Sequence, residues 1–425
     1  MSTSIKNQQA ILDKLGITEL NPMQLEAQHA IHSNDEVVLL SPTGTGKTLA
    51  FLLPIIAELD ETCQDIQAII IVPSRELSIQ IEHVTREMGT GFKVNAFYGG
   101  RSFNKDRQDL NHPPAILMGT PGRIGDHLRR NTFNTEKITT LVLDEFDKSL
   151  EVGFESQMKE IIALLPNIKK KILTSATHKV VIPAFIGLKK PKFIDYLADG
   201  VSKLEVKVIL SPSKDKLETL SDSLMQLANQ PGIVFCNFKE TIQRVSDYLK
   251  RKGIAHGCFY GGMEQNDRER ALIKFRNGSH QVLIATDLAA RGIDVPEIKY
   301  IIHYHLPLRA QEFTHRNGRT ARMHNDGTAY VLKWEKESLP DFIEEIHPKV
   351  IDIDDLPIAE IIRDFEWETL FISGGRRDKI SKGDIAGLFF KQGQLEKDEL
   401  GNIELMHDCA FVAVPKPKAN ALINC

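Results

Sequence analysis

Residues 37–48 read VVLLSPTGTGKT: a short apolar run, a turn rich in small residues, then Lys47 and Thr48 at the start of a helical pattern. An apolar run closed by a turn and followed by a helix is how a buried parallel strand and its crossover appear in sequence. The rhythm repeats downstream. AIIIV (68–72) precedes PSREL, AILMG (115–119) precedes TPGR, TLVL (140–143) precedes DEFD, and KILT (171–174) precedes SAT. Past about residue 200 it begins afresh with GIVFCNF (232–238), AHGCFYGG (255–262), VLIATDLAARG (282–292), YIIHYHLP (300–307) and TAYVL (328–332). Two α/β domains with parallel sheets in tandem follow, over about 1–200 and 201–355. After the connection HPKVIDIDDLPIAE, a third segment over 366–425 opens with WETLFISGG, continues through a helical KGDIAGLFFKQ and reaches a strand at CAFVAV. It reads as the β-α-β-β beginning of a small α+β module, stopping at ANALINC before a complete second helix and fourth strand. The expectation is a truncated module, with a partly disordered remnant as the plain alternative.

Composition sets the outer limits. At 425 residues the chain exceeds a single core, and 42% hydrophobic with 26% charged residues excludes disorder as its main theme. The formal net charge is −4, so nucleic-acid contact must come from a local patch. The five cysteines (63, 236, 258, 409 and 425) form no CxxC pair, which argues against a zinc site or a disulfide framework. MSTSIKNQQA has no apolar signal core, and no run approaches the roughly 20 apolar residues that span a bilayer. A cytoplasmic, soluble protein is expected.

Chemistry concentrates at residues 41–48. A glycine-rich turn between a strand and a helix lets backbone N–H groups and the helix N-terminus cradle phosphates, while Lys47 reaches the terminal ones. The pattern resembles a P-loop with Ser41 in place of its first glycine; an ordinary Gly/Thr turn is the plain alternative. The acids in LVLDEFDKSLE (141–151) weigh against that alternative. A phosphate-bound Mg²⁺ needs the Thr48 hydroxyl and a carboxylate at the tip of a neighbouring strand. Asp144 is placed for that, with Glu145 available to orient or deprotonate water. Phe146 is expected to pack toward SAT as a structural side chain. Asp147 is placed to cap the helix reading KSLEVGF, a role compatible with another.

These residues carry a resemblance. Over about residues 10–335 the chain resembles a DEAD-box RNA helicase, with motifs in the family's order: NPMQ, SPTGTGKT, PSREL, TPGR, DEFD, SAT, VFCNF, EQNDRER, ATDLAARGID and HRNGRTAR. The resemblance implies two RecA-like domains, with ATP and Mg²⁺ as cofactors. It implies that Gln24 reads adenine, its amide donating and accepting together. Thr43, Gly44, Thr45, Gly46, Lys47, Thr48, Asp144 and, on the ribose side, Asp294 would hold the nucleotide, with Thr48 and Asp144 on the metal. Catalysis would fall to Lys47, Glu145 and the arginine fingers Arg319 and Arg322, three apart near an expected helix start. Ser175, Thr177, Asp147 and His315 resemble the coupling residues. The family's Thr ahead of PxQ is Asn21 here. The position 17 residues before Gln24, where the family carries an aromatic that stacks on the base, is Asn7.

For RNA, Pro73, Arg75, Gly100, Thr120, Gly122 and Arg123, then Gln265, Arg268, Thr286 and Arg291, resemble the family's backbone-contacting positions. Glycine amides, helix N-termini and arginines suit phosphates and 2′-hydroxyls rather than base edges. A simple turn at Gly99-Gly100 and an Arg268–Glu264 ion pair are the plain alternatives. The tail resembles the C-terminal RRM-like module of the DbpA subfamily, which implies a hairpin of large-subunit ribosomal RNA as its partner. Arg376, Arg377 and Lys379, with Lys382 beside them, concentrate positive charge. Phe411 is the one ring in CAFVAV, so the basic loop and RNA shape are expected to carry recognition. The whole reads as a monomeric, RNA-stimulated ATPase that closes on ATP and RNA and parts short duplexes, with an ATP-gated RNA clamp as the alternative. A DNA helicase is disfavoured by Gln24, DEFD and HRNGRTAR together.

Overall fold

The computed structural model describes residues 7–149, 155–177, 182–197, 204–227, 230–287, 298–320, 327–356 and 367–423. They fall into two compact units, the first built on one parallel sheet and the second on another, which also carries the C-terminal module.

In the first unit, seven strands run β1 (Glu36–Leu40), β2 (Ala68–Ile71), β3 (Val94–Phe97), β4 (Ile116–Gly119), β5 (Thr140–Leu143), β6 (Lys170–Ser175) and β7 (Lys192–Asp195). Their order is β3-β4-β2-β5-β6-β1-β7, and every pairing is parallel. The five expected strands are present. β3 and β7 are additions, one at each edge. Alternation along the strands feeds two cores: Val37, Leu39, Ile70 and Ile172 join one, and Val38, Ile69, Ile71, Leu141, Leu143 and Leu173 join the other. Both faces are therefore covered. The first core takes α1 (Gln8–Lys14), α2 (Pro22–Ser33), α3 (Lys47–Glu58) and α4 (Arg75–Glu87). After α5 (Phe103–Asp109), the second core takes α6 (Pro121–Arg129), α7 (Phe146–Ser149) and α8 (Glu155–Ala163). β6 lies between β5 and β1, so the turns leaving these three strands share one end of the sheet. Ligands of open α/β sheets bind at that end.

The second unit repeats the plan with β8 (Leu204–Ser211), β9 (Gly232–Phe235), β10 (Gly257–Phe259), β11 (Val282–Ala285), β12 (Tyr300–His303), β13 (Gly327–Trp334) and β14 (Lys349–Ile351). The order is β10-β11-β9-β12-β13-β8-β14, again parallel throughout. The helices α9 (Leu217–Leu227), α10 (Lys239–Arg251) and α11 (Gln265–Arg276) precede the helix Ala310–Asn317.

The C-terminal module follows the expected β-α-β-β order and adds a short second helix. β15 (Trp367–Ile372), β16 (Ile403–Leu405) and β17 (Ala410–Pro415) form an antiparallel sheet in the order β15-β17-β16, and two helices, Lys382–Lys391 and Lys416–Leu422, pack on it. Ala410, Val412 and Val414 point to one face and join Ile385, Phe389 and Leu422 in a core of their own. On the opposite face, Phe371 meets Phe411 edge-on with centroids 5.5 Å apart and stays 56% exposed. That face also meets the end of α11. Arg276 pairs with Glu404 at 2.9 Å, and the Thr369 hydroxyl lies 2.6 Å from that of Ser279 and accepts from Asn277 at 3.2 Å.

Candidate active site

The P-loop turn is shaped by its glycines and by Gln24. Gly46 caps α3 with φ +85°, a left-handed conformation that suits glycine, and a Cβ there would lie 2.3 Å from the Gln24 side-chain nitrogen. Gln24 donates to the Gly46 carbonyl at 3.2 Å and accepts from the Asn21 N–H at 3.0 Å, closing a capping box with Asn21. Asn21 in turn donates to the Thr45 carbonyl at 3.0 Å. The expected adenine reader thus also ties α2 to the P-loop, with one amide hydrogen and one lone pair left over. Asn7 caps α1 by accepting from the Gln9 N–H.

Within the loop, the hydroxyls of Ser41 and Thr45 lie 2.7 Å apart, and Thr45 donates to the Pro42 carbonyl at 2.9 Å. The Lys47 ammonium donates to the carbonyls of Ser41 and Pro42 at 2.6 and 2.7 Å, and a terminal phosphate would compete with them. Thr43 and Gly44 complete the turn, and Thr48 follows Lys47 in the first turn of α3, partly exposed.

Asp144 follows β5 directly. It is buried and accepts hydrogen bonds from the Thr174 hydroxyl and from the Glu145 N–H. Burial, with Glu145 beside it, pushes its carboxyl up to about 6; the Thr174 hydroxyl and the Lys47 ammonium pull the other way. Lys47 is therefore near enough to act on Asp144 electrostatically. Glu145 sits at φ +48°, an uncommon backbone for a glutamate, with its N–H also 3.2 Å from the Thr174 hydroxyl. A crowded, desolvated carboxylate pair next to a hydroxyl and an ammonium suits a cation that brings its remaining ligands as water and phosphate oxygens. Among the described residues, no cluster of three or more His, Cys, Asp or Glu side chains could cage a metal alone.

Phe146 is 1% exposed and lies in one core with Leu173 of β6, Met158 and Ile161. It is structural, as expected. Asp147 corrects the capping alternative: it lies inside the first turn of α7, and its carboxylate accepts from the Thr177 hydroxyl at 3.5 Å. Ser175 accepts from the Thr177 N–H at 3.0 Å, and its carbonyl accepts from the Ser41 N–H at 3.0 Å. SAT is thereby bonded to the P-loop on one side and the acids on the other.

Three family descriptions cover the chain: DEAD/DEAH box helicase over residues 21–183, helicase conserved C-terminal domain over 215–324, and DbpA RNA binding domain over 369–425. The chain is 32% identical over 418 residues to the ATP-dependent RNA helicase DbpA of Escherichia coli (strain K12), covering 96% of this chain and 92% of that one. The protein of the same name from Bacillus subtilis (strain 168) is 32% identical over 436 residues, covering 95% and 91%. Dbp5 of S. cerevisiae, solved bound to RNA and ADP BeF3, superposes with a TM-score of 0.71 at 25% identity, covering 81% of this chain and 94% of that one. The chain belongs to the DEAD-box RNA helicases. It is an ATP-dependent enzyme with a DbpA-type RNA-binding module.

In the second unit of this helicase, Arg319 corrects the expected helix start: Ala310–Asn317 ends before it, and its N–H closes the helix end on the Arg316 carbonyl at 3.1 Å. His315 lies buried in the last turn of that helix. Arg322, Arg291 and Asp294 lie outside the described residues. Sequence reasoning passed over Arg316, which is 1% exposed. Its guanidinium donates to both oxygens of Asp287 at 2.6 Å, to the Asn237 side chain at 2.7 Å and to the His305 carbonyl at 2.9 Å. One side chain thus joins VFCNF, ATDLAARGID and HRNGRTAR, and its place inside HRNGRTAR was the available signal.

The residues expected to face RNA differ in how they are held. Arg75 opens α4 behind its cap Ser74, and its guanidinium lies against the Gly99-Gly100 turn: a Cβ on Gly100, at φ +94°, would come within 2.7 Å of it. Pro73 is buried just ahead. Thr120 and Gly122 start α6, whose next residue Arg123 is only 12% exposed at its side chain and is bound to Asp106. Gln265 donates to Glu269 at 3.0 Å. Arg268 is buried with its guanidinium over the Phe259 ring at 4.8 Å, and the α11 capping residue Glu264 accepts its backbone N–H. Thr286 follows β11, half-buried. Arg376, Arg377 and Lys379 are exposed on the turn after β15. Among the described residues, no helix is long and apolar enough to cross a membrane.

Proposed function

We propose that this helicase couples RNA-stimulated ATP hydrolysis to local separation of short RNA duplexes during large-subunit ribosome assembly. The observation that carries the reading is the convergence of Lys47, Thr48, Asp144 and Glu145 around the ends of β1 and β5, bridged by Thr174 and Ser175 of β6.

In the mechanism, the P-loop amides and Lys47 take the ATP phosphates, and Gln24 turns its remaining donor and acceptor to adenine. Thr48 and Asp144 would hold Mg²⁺, which when bound would supply positive charge to the phosphates. Glu145 orients the attacking water and accepts its proton. The chain divides the remaining parts between its units: the P-loop and acids lie in the first, Arg319 and His315 in the second. Arginine charge delivered to the transferring phosphoryl group raises such rates by about 10³ to 10⁵. Hydrolysis is thereby tied to the two units acting together, with Asp147, Ser175, Thr177 and His315 transmitting the state of the nucleotide. Arg322 and Asp294 complete the set by family likeness.

RNA is gripped along its backbone by Arg75, Gly100, Thr120, Gly122 and Arg123 of the first unit and by Gln265, Arg268 and Thr286 of the second, with Arg291 added by family likeness, independent of sequence. The match to the DbpA RNA binding domain, together with exposed Arg376, Arg377 and Lys379, supports a ribosomal-RNA hairpin as the partner of the module. The enzyme acts as a cytoplasmic monomer. Strand displacement on a short RNA duplex with ATP tests the reading: separation with ATP and none with a non-hydrolysable analogue is expected. ATP-dependent retention of RNA without separation would establish the clamp instead.

A further inference from the structure

Beneath the TPGR turn lies a carboxylate that the mechanism above does not use. Asp106, on α5, is fully buried and faces three cationic or ionisable side chains. Its Oδ2 accepts from the Arg123 Nε–H at 2.7 Å, with Arg123 Nη2 also 2.7 Å away and the His127 Nε2 at 3.1 Å; its Oδ1 lies 2.8 Å from the Arg101 Nε. Arg123 Nη2 donates further to the Arg101 carbonyl at 2.9 Å. The ring of Phe103 closes one side of the cluster: the Arg123 guanidinium lies 4.8 Å from its centroid, and the His127 ring stacks on it at 4.3 Å.

This arrangement consumes one edge of the Arg123 guanidinium and covers one of its faces. Among the described residues, the opposite nitrogen, Nη1, makes no hydrogen bond. A guanidinium has five donors in a rigid fork, so pinning Nε and Nη2 fixes the direction of the remaining pair. An exposed arginine would have to order its whole side chain on binding, whereas this one is ordered in advance, which is how preorganisation raises affinity. Arg123 also sits in the first turn of α6, where backbone N–H groups lack helical partners. We infer that Asp106 is a positioning residue for RNA binding: it aims Arg123 at the RNA backbone from inside the first unit. The inference rests on the assignment of Arg123 to the RNA interface.

The test is binding of fluorescein-labelled oligo(U) to the full chain with a non-hydrolysable ATP analogue, as a function of salt. Asp106→Asn keeps the volume and removes the charge. It should weaken binding about tenfold, the scale of one charge-assisted hydrogen bond. It should also flatten the salt dependence by about 0.7 in slope, one phosphate contact on a single strand. The same change in an Arg123→Ala background should add nothing. A loss that persists in that background, or wild-type binding by Asp106→Asn while Arg123→Ala is weak, overturns the inference and leaves the interface standing. An Arg123→Ala variant that binds normally removes the interface and the inference together. Nitrogen-15 spectra of the unmodified protein give an answer independent of variant folding. The Arg123 Nε–H signal, identified by its loss in Arg123→Lys, should be sharp before RNA is added and should shift on oligo(U) addition. A signal unmoved by saturating oligo(U) overturns the proposal.

Discussion

Glu145 shows what a single residue does here. Its φ of +48° and its N–H bonds to Asp144 and Thr174 fix the backbone from which the carboxylate projects. Glutamine keeps that shape but cannot take a proton, so Glu145→Gln should lower the single-turnover hydrolysis rate by at least about 100-fold while ATP affinity stays within a few-fold. A variant hydrolysing at the wild-type rate would remove Glu145 from catalysis. His303, the last residue of β12, supplies a pH signature. Burial, then the Arg316 guanidinium, pushes its imidazole down to about 3, so it is neutral when folded and takes up a proton on unfolding near 6.5. Its contribution is present above pH 6.5 and declines as pH falls toward 3, by about 1.4 kcal/mol per pH unit. His280 and His305, both held down to about 4 chiefly by burial, act in the same direction. Both tryptophans, Trp334 and Trp367, lie in this unit, so urea titrations followed by their fluorescence at pH 7 and pH 5 report on it. Equal midpoints would contradict the assignment. Lys47, Asp144 and Glu145 were legible because neighbours in sequence carry their meaning. Asp106, Phe371 and Arg316 were not, because their meaning lies in partners such as Arg123, Phe411 and Asp287, contacts that only the fold creates.

At the scale of elements, most strands with both faces buried declared themselves as continuous apolar runs, while the edge strand β7 and the inner strand β8 did not. β7 reads KFID with one buried position, and β8 alternates through LEVKVILS, so neither presents such a run. The P-loop turn depends on Gly46. Alanine there meets a left-handed backbone, costing about 1–2 kcal/mol, and a collision with Gln24. Gly46→Ala should weaken binding of a fluorescent ATP analogue by tenfold or more; unchanged affinity would mean the turn is not the phosphate cradle. Phe146 makes a contrasting case, because alanine at this position is what the family's name spells. In this chain the ring fills a core shared by β6 and α8, so Phe146→Ala should cost about 3–5 kcal/mol of first-unit stability, seen as a lower thermal midpoint by circular dichroism. An unchanged midpoint would show that the core closes over the gap. In the C-terminal module the β-α-β-β order was legible, but the partners of its outer face were not. Its second helix is short, and its outer face is bonded to Asn277 and Ser279 just beyond α11, about 90 residues earlier in the chain.

At the scale of the whole molecule, the proposed mechanism divides the parts of one reaction between two compact units, while the RNA-binding module belongs to the second. Such a division makes sense for an enzyme whose ATP turnover answers to bound RNA, and that dependence is the central claim. The direct measurement is steady-state ATP hydrolysis by the full chain without RNA, with poly-A and with a large-subunit ribosomal RNA fragment, each repeated with Glu145→Gln. Strong stimulation by the ribosomal fragment, weaker stimulation by poly-A and loss of both in the variant are predicted. Turnover that is unchanged by either RNA would contradict the account.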